Sequence, residues 1–129
     1  MITIALPWPP TVNSLYPSNK AGRRFLSKKG AQYLKSVRLA AAACGAGLHG
    51  KTMTGRLAYR LSLWPPDRRI RDLSNHQKAV EDCLTKCGVW EDDSLVDHLE
   101  VDRMPIVRGG HCRIEIWSLD HECRPEVIA

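Results

Sequence analysis

From Arg56 to Trp64 the chain alternates, with Leu57, Tyr59, Leu61 and Leu63 on one side and Arg56, Ala58, Arg60 and Ser62 on the other. A period of two sustained this long predicts a strand with one face in a core and one toward water. Pro65 and Pro66 end it, because proline has no N–H to give a ladder. The remaining elements must supply the other wall of that core. Ile2 to Leu6 predicts a short strand stopped by Pro7, Pro9 and Pro10. Ser27 to about Ala46 predicts a helix, with Ser27 as N-cap, Tyr33, Leu34, Val37, Ala40 and Ala41 at helical spacing, and Gly45 and Gly47 beyond its end.

Ser74 to Cys87 predicts a second amphipathic helix with the stripe Ala79, Val80, Cys83, Leu84, Cys87, closed by Gly88. Ser74 and Gln77 form the S-x-x-Q pattern of a capping box. Leu95 to Met104 and His111 to Leu119 read as two strands, joined as a hairpin across Pro105 and the turn signal Gly109-Gly110. The order β-α-β-α-β-β predicts an α+β fold, a single mixed sheet with two helices packed against it, in one domain over residues 1–129. At 129 residues such a domain buries roughly two-thirds of its unfolded surface, and with one Phe its packing is mostly aliphatic.

Charge is segregated along the chain. Residues 1–66 carry ten Lys and Arg and no acid, a net of +10, whereas the remainder carries nine basic and fourteen acidic residues, a net of −5. An acid-free half suits a polyanionic partner, nucleic acid first, against the plainer reading of a solvated basic surface. Thr11 to Phe25, where Asn13, Pro17, Asn19 and Gly22 mix with Lys20, Arg23 and Arg24, reads as a long basic loop able to grip phosphates. No apolar run approaches the roughly twenty residues of a membrane span, and the first ten residues lack a secretory pattern, so the expectation is a cytoplasmic protein without a membrane partner. The five cysteines, without a Cys-x-x-Cys pair, are expected as free thiols. A zinc-stabilised, DNA-associated regulatory protein would combine Cys83 and Cys87 with His111, Cys112, His121 or Cys123. Against it, Cys83 and Cys87 continue an apolar stripe.

The segment that carries chemistry is Pro65-Pro66-Asp67-Arg68-Arg69-Ile70-Arg71-Asp72-Leu73-Ser74-Asn75-His76-Gln77-Lys78, followed by Gly88-Val89-Trp90-Glu91-Asp92-Asp93. Arginines flanking Asp72 at a strand-to-helix junction put a metal-ligand candidate beside phosphate-binding side chains and a helix N-terminus, an arrangement suited to phosphodiester chemistry. A helix of about four turns separates Asp72 from Glu91-Asp92-Asp93 unless the chain folds back. Those acids read equally as a polar turn.

Leu6-Pro7-Trp8-Pro9-Pro10, Pro66-Asp67-Arg68-Arg69, Arg71-Asp72-Leu73, Asn75, Lys78, Leu84-Thr85-Lys86, Gly88, Trp90, Asp92-Asp93 and Met104-Pro105 together resemble the RusA family of Holliday-junction resolvases over nearly the whole chain. The resemblance implies a small phage- or prophage-type endodeoxyribonuclease that makes paired symmetric nicks in four-way junction DNA. It also implies a homodimer, magnesium as cofactor with manganese as a substitute, and no small-molecule substrate. It assigns metal binding to Asp72, to Asp93 and to the position of Ser74, and catalysis to Asp72, Lys78 and Asp93 with Asp92 adjacent. DNA binding falls to Thr11, Val12, Asn13 and Ser14, to Arg23 and Arg24, and to Arg68, Arg69, Arg71 and Asn75. The chain departs from the family at Ser74, where the pattern calls for aspartate. Three readings stay open: activity kept through Asp92 or Glu91, a catalytically impaired junction-binding protein, or an engineered inactivating change.

Overall fold

A computed structural model of the chain describes residues 1–47 and 50–119. The elements are β1 (Ile2–Leu6), α1 (Val12–Leu15), α2 (Lys28–Ala43), β2 (Leu57–Trp64), α3 (Leu73–Lys86), a 3-10 turn (Asp93–Leu95), β3 (Val96–Arg103) and β4 (His111–Ser118). They form an α+β fold with one mixed sheet in the order β1-β4-β2-β3. The strands and both long helices fall close to where periodicity predicts them.

The hairpin does not form. β3 runs parallel to β2 after the crossover through α3, while β4 runs antiparallel to both β1 and β2, so β2 separates the last two strands. The connection from β3 passes the end of β2 instead, with the Met104 N–H donating to the Leu63 carbonyl at 2.8 Å and the Val107 N–H to the Pro65 carbonyl at 2.9 Å. Gly110, at φ +73°, is required by crowding: a Cβ there would sit 2.7 Å from the Trp8 Cβ.

β2 is also more deeply set than alternation alone predicts. Ala58 and Ser62, on its outward face, are 1% and 3% exposed, and Arg60 is the strand's exposed residue. With neighbours on both sides, these small side chains lie beside longer register partners, His98 and Trp117 next to Ala58, Asp102 and Arg113 next to Ser62. The inward face joins Leu57, Tyr59, Leu61 and Leu63 to Ile4, Ile114 and Ile116 of the sheet and to Val37, Val80 and Leu84 of the helices in one core. Trp90 is fully buried there, stacked on Tyr59 at 5.7 Å, with its indole N–H donating to the Thr85 hydroxyl at 2.7 Å.

The stretch read as a basic loop contains α1, capped by the Thr11 hydroxyl and anchored by fully buried Leu15. Ser27 caps α2 as expected, accepting from the Gly30 N–H at 2.9 Å while its own hydroxyl donates to the Ser14 carbonyl at 2.6 Å. α3 begins two residues earlier than its capping-box reading. Asp72 is the N-cap and Ser74 lies inside the first turn, so the expected box is absent, and Gln77 bonds elsewhere.

The cysteine pattern follows burial. Cys83, Cys87 and Cys112 are buried free thiols, and burial pushes Cys83 and Cys112 up to about 12. His111 meets Trp64 at a tilt of 47° on the sheet's outer face while Cys112 points into the core, as alternation in β4 requires. Among the described residues no three His, Cys, Asp or Glu side chains are grouped to hold a metal ion. His121 and Cys123 lie outside the described residues. No helix among the described residues is long and apolar enough to cross a membrane.

Ile114 is fully buried between β1 and β2. Ile114→Ala should therefore lower unfolding stability by about 2–5 kcal/mol, read from the urea midpoint. Arg60→Ala, at an exposed ion pair with Glu100, should leave that midpoint nearly unchanged.

Candidate functional site

The turn from β2 into α3 is built around Asp67. Its Oδ1 accepts from the Arg69 N–H at 3.0 Å and pairs with Arg71 Nη2 at 2.8 Å. The Arg69 amide first, and then the Arg71 guanidinium, hold the Asp67 carboxyl below the usual range. Arg71 is held on three sides, since its guanidinium also lies 5.6 Å from the Trp8 ring centroid and its carbonyl accepts from Arg103 at 2.9 Å. Its side chain is 14% exposed, against 83% for Arg69. The three arginines therefore differ in kind: Arg68 and Arg69 reach into solvent, whereas Arg71 is a fixed positive charge.

Asp72 follows immediately. Its Oδ1 accepts from the Ser74 N–H at 3.1 Å and from the Ser74 hydroxyl at 2.8 Å. These two bonds, aided by the charges of His76 and Lys78, hold its carboxyl below the usual range, so Asp72 is anionic near neutrality. The exposed Asn75 lies in the same turn, its N–H donating to the Asp72 carbonyl at 3.3 Å. Ser74 thus supplies both of these donors to Asp72.

The second acid group lies along α3. Asp92 caps the 3-10 turn, accepting from the N–H and the hydroxyl of Ser94, which hold its carboxyl low. Asp93 is half-buried against α3, and its charge acts on Glu81 and Asp82. Burial first, then Asp93, raise both of those carboxyls. Glu81 accepts from the Tyr59 hydroxyl and from the Gln77 amide, which also donates to the Tyr59 oxygen at 2.6 Å. Lys78 lies between the groups on the exposed surface of α3, and its charge lowers both Asp72 and Asp82. The interactions link Asp93 to Glu81 and Asp82, and Asp72 to Ser74; Lys78 is the side chain that bears on both.

Tyr59, Gln77, Glu81 and Asp82 were not among the sequence candidates. The spacing Lys78, Glu81, Asp82 does carry a signal, because residues three and four apart share a helix face. Tyr59 gave none, since its ring belongs to the apolar stripe of β2 and only its hydroxyl meets the acids. On the other side of α3, His76 is 4% exposed, 4.8 Å from the Trp8 ring, with Nδ1 3.0 Å from the Pro9 carbonyl. Burial first, with Arg71 adding to it, pushes its imidazole down.

The other expected DNA contacts are spread over the N-terminal arm. Thr11 and Ser14 bond each other through their hydroxyls at 3.0 Å, Asn13 is exposed and Val12 packs on the core. Arg23 and Arg24 are exposed in a turn ordered by the Asn19 side chain, with Arg24 Nε donating to the Tyr16 carbonyl at 3.1 Å. Two of the ten N-terminal cations face acids instead: Arg56 pairs with Asp97 and Arg60 with Glu100 at 2.8 Å.

Comparison with known proteins gives one consistent match. The family model described as endodeoxyribonuclease RusA matches residues 7–117. A crossover junction endodeoxyribonuclease rusA of Enterobacteria phage 82 is 40% identical over 120 residues, covering 92% of this chain and 96% of the relative. A crossover junction endodeoxyribonuclease RusA of Escherichia coli strain K12 is 40% identical over 121 residues, covering 93% and 97%. One of Shigella sonnei strain Ss046 is 38% identical over 122 residues, with the same coverage.

The raised Glu81 carboxyl gives a pH signature. A carboxyl whose folded pKa lies above its unfolded value favours folding at low pH and loses that contribution as pH rises through the folded pKa. Glu81→Gln should therefore gain stability relative to the parent between pH 4 and pH 7, measured by urea unfolding at both values; a constant difference would remove the ionisation of Glu81 as the cause.

Proposed function

The chain belongs to the RusA family of endodeoxyribonucleases, and on that premise we propose that it is a Holliday-junction resolvase, hydrolysing phosphodiester bonds of four-way DNA during recombination. The observation that carries the site assignment is the β2–α3 turn. There an anionic Asp72 caps a helix directly after a run of arginines, with Lys78 bearing on it from the same helix.

The donor set suits a divalent metal of the hard kind. Asp72 has one oxygen engaged by Ser74 and its other oxygen in none of those bonds, and the Ser74 hydroxyl beside it is also an oxygen donor, whereas the thiols of α3 are buried. Magnesium, with manganese as a substitute, needs only one or two carboxylates because it retains waters and shares substrate phosphate oxygens. Asp72 and Asp93 would hold it, with the Ser74 hydroxyl as a neutral neighbour. When bound, such an ion supplies an activated water and neutralises charge on the scissile phosphate.

The chain's own residues do the rest. Arg68 and Arg69 grip flanking phosphates with exposed guanidinium groups, while Arg71 contributes a fixed field from its seat on Asp67 and Trp8. The Lys78 ammonium, a compact charge, stabilises negative charge gathering on phosphate oxygens as the bond breaks. Asp92 orients Asp93 by capping its turn. A homodimer fits the substrate, since a four-way junction has two equivalent strands to cut and a two-fold dimer brings one site to each.

Ser74 favours a second reading, a junction-binding protein of reduced activity. Its hydroxyl is spent on Asp72 and adds no negative charge for a cation. Ser74→Asp should raise magnesium-dependent cleavage of a synthetic four-way junction by about tenfold or more, the scale on which groups around a metal act. Equal rates would show that this position is dispensable, and binding without cleavage by both proteins would establish the second reading. Asp72→Asn should abolish cleavage while leaving junction affinity equal or tighter. Affinity itself should fall steeply as salt rises from 50 to 200 mM, by about a thousandfold or more if six or more phosphates are neutralised.

A further inference from the structure

A cavity of about 450 Å³ lies on the face of α3 away from the acids, between the Pro7–Pro10 arm, α2 and the arginine turn. That volume is within the roughly 300–1,000 Å³ range of small-molecule sites. Its walls include Trp8, Tyr33 and His76, its cations are Lys29, Arg69 and Arg71, and no Asp or Glu lines it.

The aromatic wall is fixed in advance. Trp8 meets His76 at a tilt of 52°, 4.8 Å between ring centroids, and the Arg71 guanidinium, which Asp67 pins, lies 5.6 Å from its ring centroid. Gly110 lets the β3–β4 connection press against the Trp8 side chain, within 3 Å of where a Cβ would stand. Tyr33 donates its hydroxyl to the Pro7 carbonyl at 3.1 Å, fixing the arm to α2. Because a carbonyl can only accept, the 3.0 Å contact of His76 Nδ1 with the Pro9 carbonyl puts the ring proton on Nδ1 and leaves Nε2 as an acceptor. Lys29 and Arg69 are exposed cations at the opening, Arg69 with its Nε 3.8 Å from the Asp67 carboxylate.

Preset aromatic rings, one histidine acceptor and cations at the opening, of which Lys29 is in none of the ion pairs that hold Arg69 and Arg71 to Asp67, match a nucleotide: a flat base with amino donors, joined to a phosphate. The pocket shares Arg69 and Arg71 with the turn that leads into Asp72, so its occupant would adjoin the phosphate that Asp72 faces. Resting on the resolvase reading above, we propose that this pocket takes one unstacked nucleotide of the junction strand beside the cut, with its base on Trp8 and its phosphate on Arg69 and Lys29. Unpairing costs least at a branch point, where stacking is already broken, so such a pocket would select junctions over continuous duplex.

Two measurements on the full chain test this. In the first, dAMP is titrated while the Trp8 indole N–H is followed by NMR, assigned with Trp8→Phe. The indole signal should shift with dAMP and not with 2-deoxyribose 5-phosphate at equal concentration. Ser36→Trp, which fills the pocket from α2 without touching the core, should abolish the shift. A Trp8 signal that ignores dAMP, moves equally with the sugar phosphate, or persists in Ser36→Trp overturns the pocket. In the second, a four-way junction carries 2-aminopurine in turn at each position flanking the branch point, and binding is measured without divalent metal. Fluorescence at one position should change on binding, and Trp8→Ala should remove the change and weaken junction affinity roughly fivefold or more. A chain that binds dAMP at Trp8 but no four-way junction keeps the pocket and overturns the resolvase reading. A chain that binds the junction with every 2-aminopurine unperturbed keeps that reading and overturns the pocket.

Discussion

β2 is hydrogen-bonded on both edges, to β4 on one side and to β3 on the other, and the rest of the molecule is arranged by that fact. Its last residue, Trp64, is followed by two prolines that cannot extend either ladder, so the chain must leave the sheet at one fixed point. The Asp67 turn converts that exit into the start of α3, and the crossover through α3 returns the chain as β3 beside the strand it left. Arg103 at the end of β3 then bonds the Arg71 carbonyl, closing the unit at the residue before Asp72. The candidate site is consequently attached to the most constrained strand in the sheet, although it lies on its surface. Rigid support of this kind is what a metal ligand and a phosphate clamp require.

The charge asymmetry acquires a finer meaning once the ion pairs are known. Arg56 and Arg60 belong to the acid-free half by sequence, yet they face Asp97 and Glu100 across β2 and β3, so this part of the +10 is internal to the sheet. Arg71 is likewise neutralised locally by Asp67 and half-covered by Trp8. Among the cations that remain exposed, Lys28, Lys29, Lys35 and Arg38 on α2 with Arg23, Arg24, Arg68 and Arg69 belong to the arm, α2 and the arginine turn. Those are the elements that border the 450 Å³ cavity and Asp72. A cation that neutralises a phosphate releases counterions condensed on the nucleic acid, which favours binding, and arginines already paired with carboxylates contribute less to it.

Local patterns in the sequence carried most of the secondary structure, because alternation in β2 and β4 and helical spacing in α2 and α3 each reflect one face of one element. Pairing between strands was less legible. Nothing local distinguishes a hairpin from two strands that both seek β2, and Gly109-Gly110 looks the same whether it closes a hairpin or clears space for Trp8. The site divided along the same line. Asp72 and its arginines are contiguous and could be read directly, while Tyr59 meets Gln77 and Glu81 only because β2 lies under α3. The capping box failed for a related reason: Asp72 and Ser74 are both good caps two residues apart, and the sequence does not say which will stop being helical.

That competition bears on what the serine does. A carboxylate at position 74 would lie beside Asp72, and two like charges in contact raise the cost of keeping both ionised unless a cation lies between them. Serine removes the repulsion and adds a 2.8 Å hydroxyl bond that favours the ionised form of Asp72. The helix start is then complete without a metal, and Asp72 remains anionic whether or not one is present. With aspartate there, the same first turn would have to accommodate two like charges. Serine at position 74 therefore completes the start of α3 without adding a second negative charge beside Asp72, so the helix start needs nothing from outside the chain.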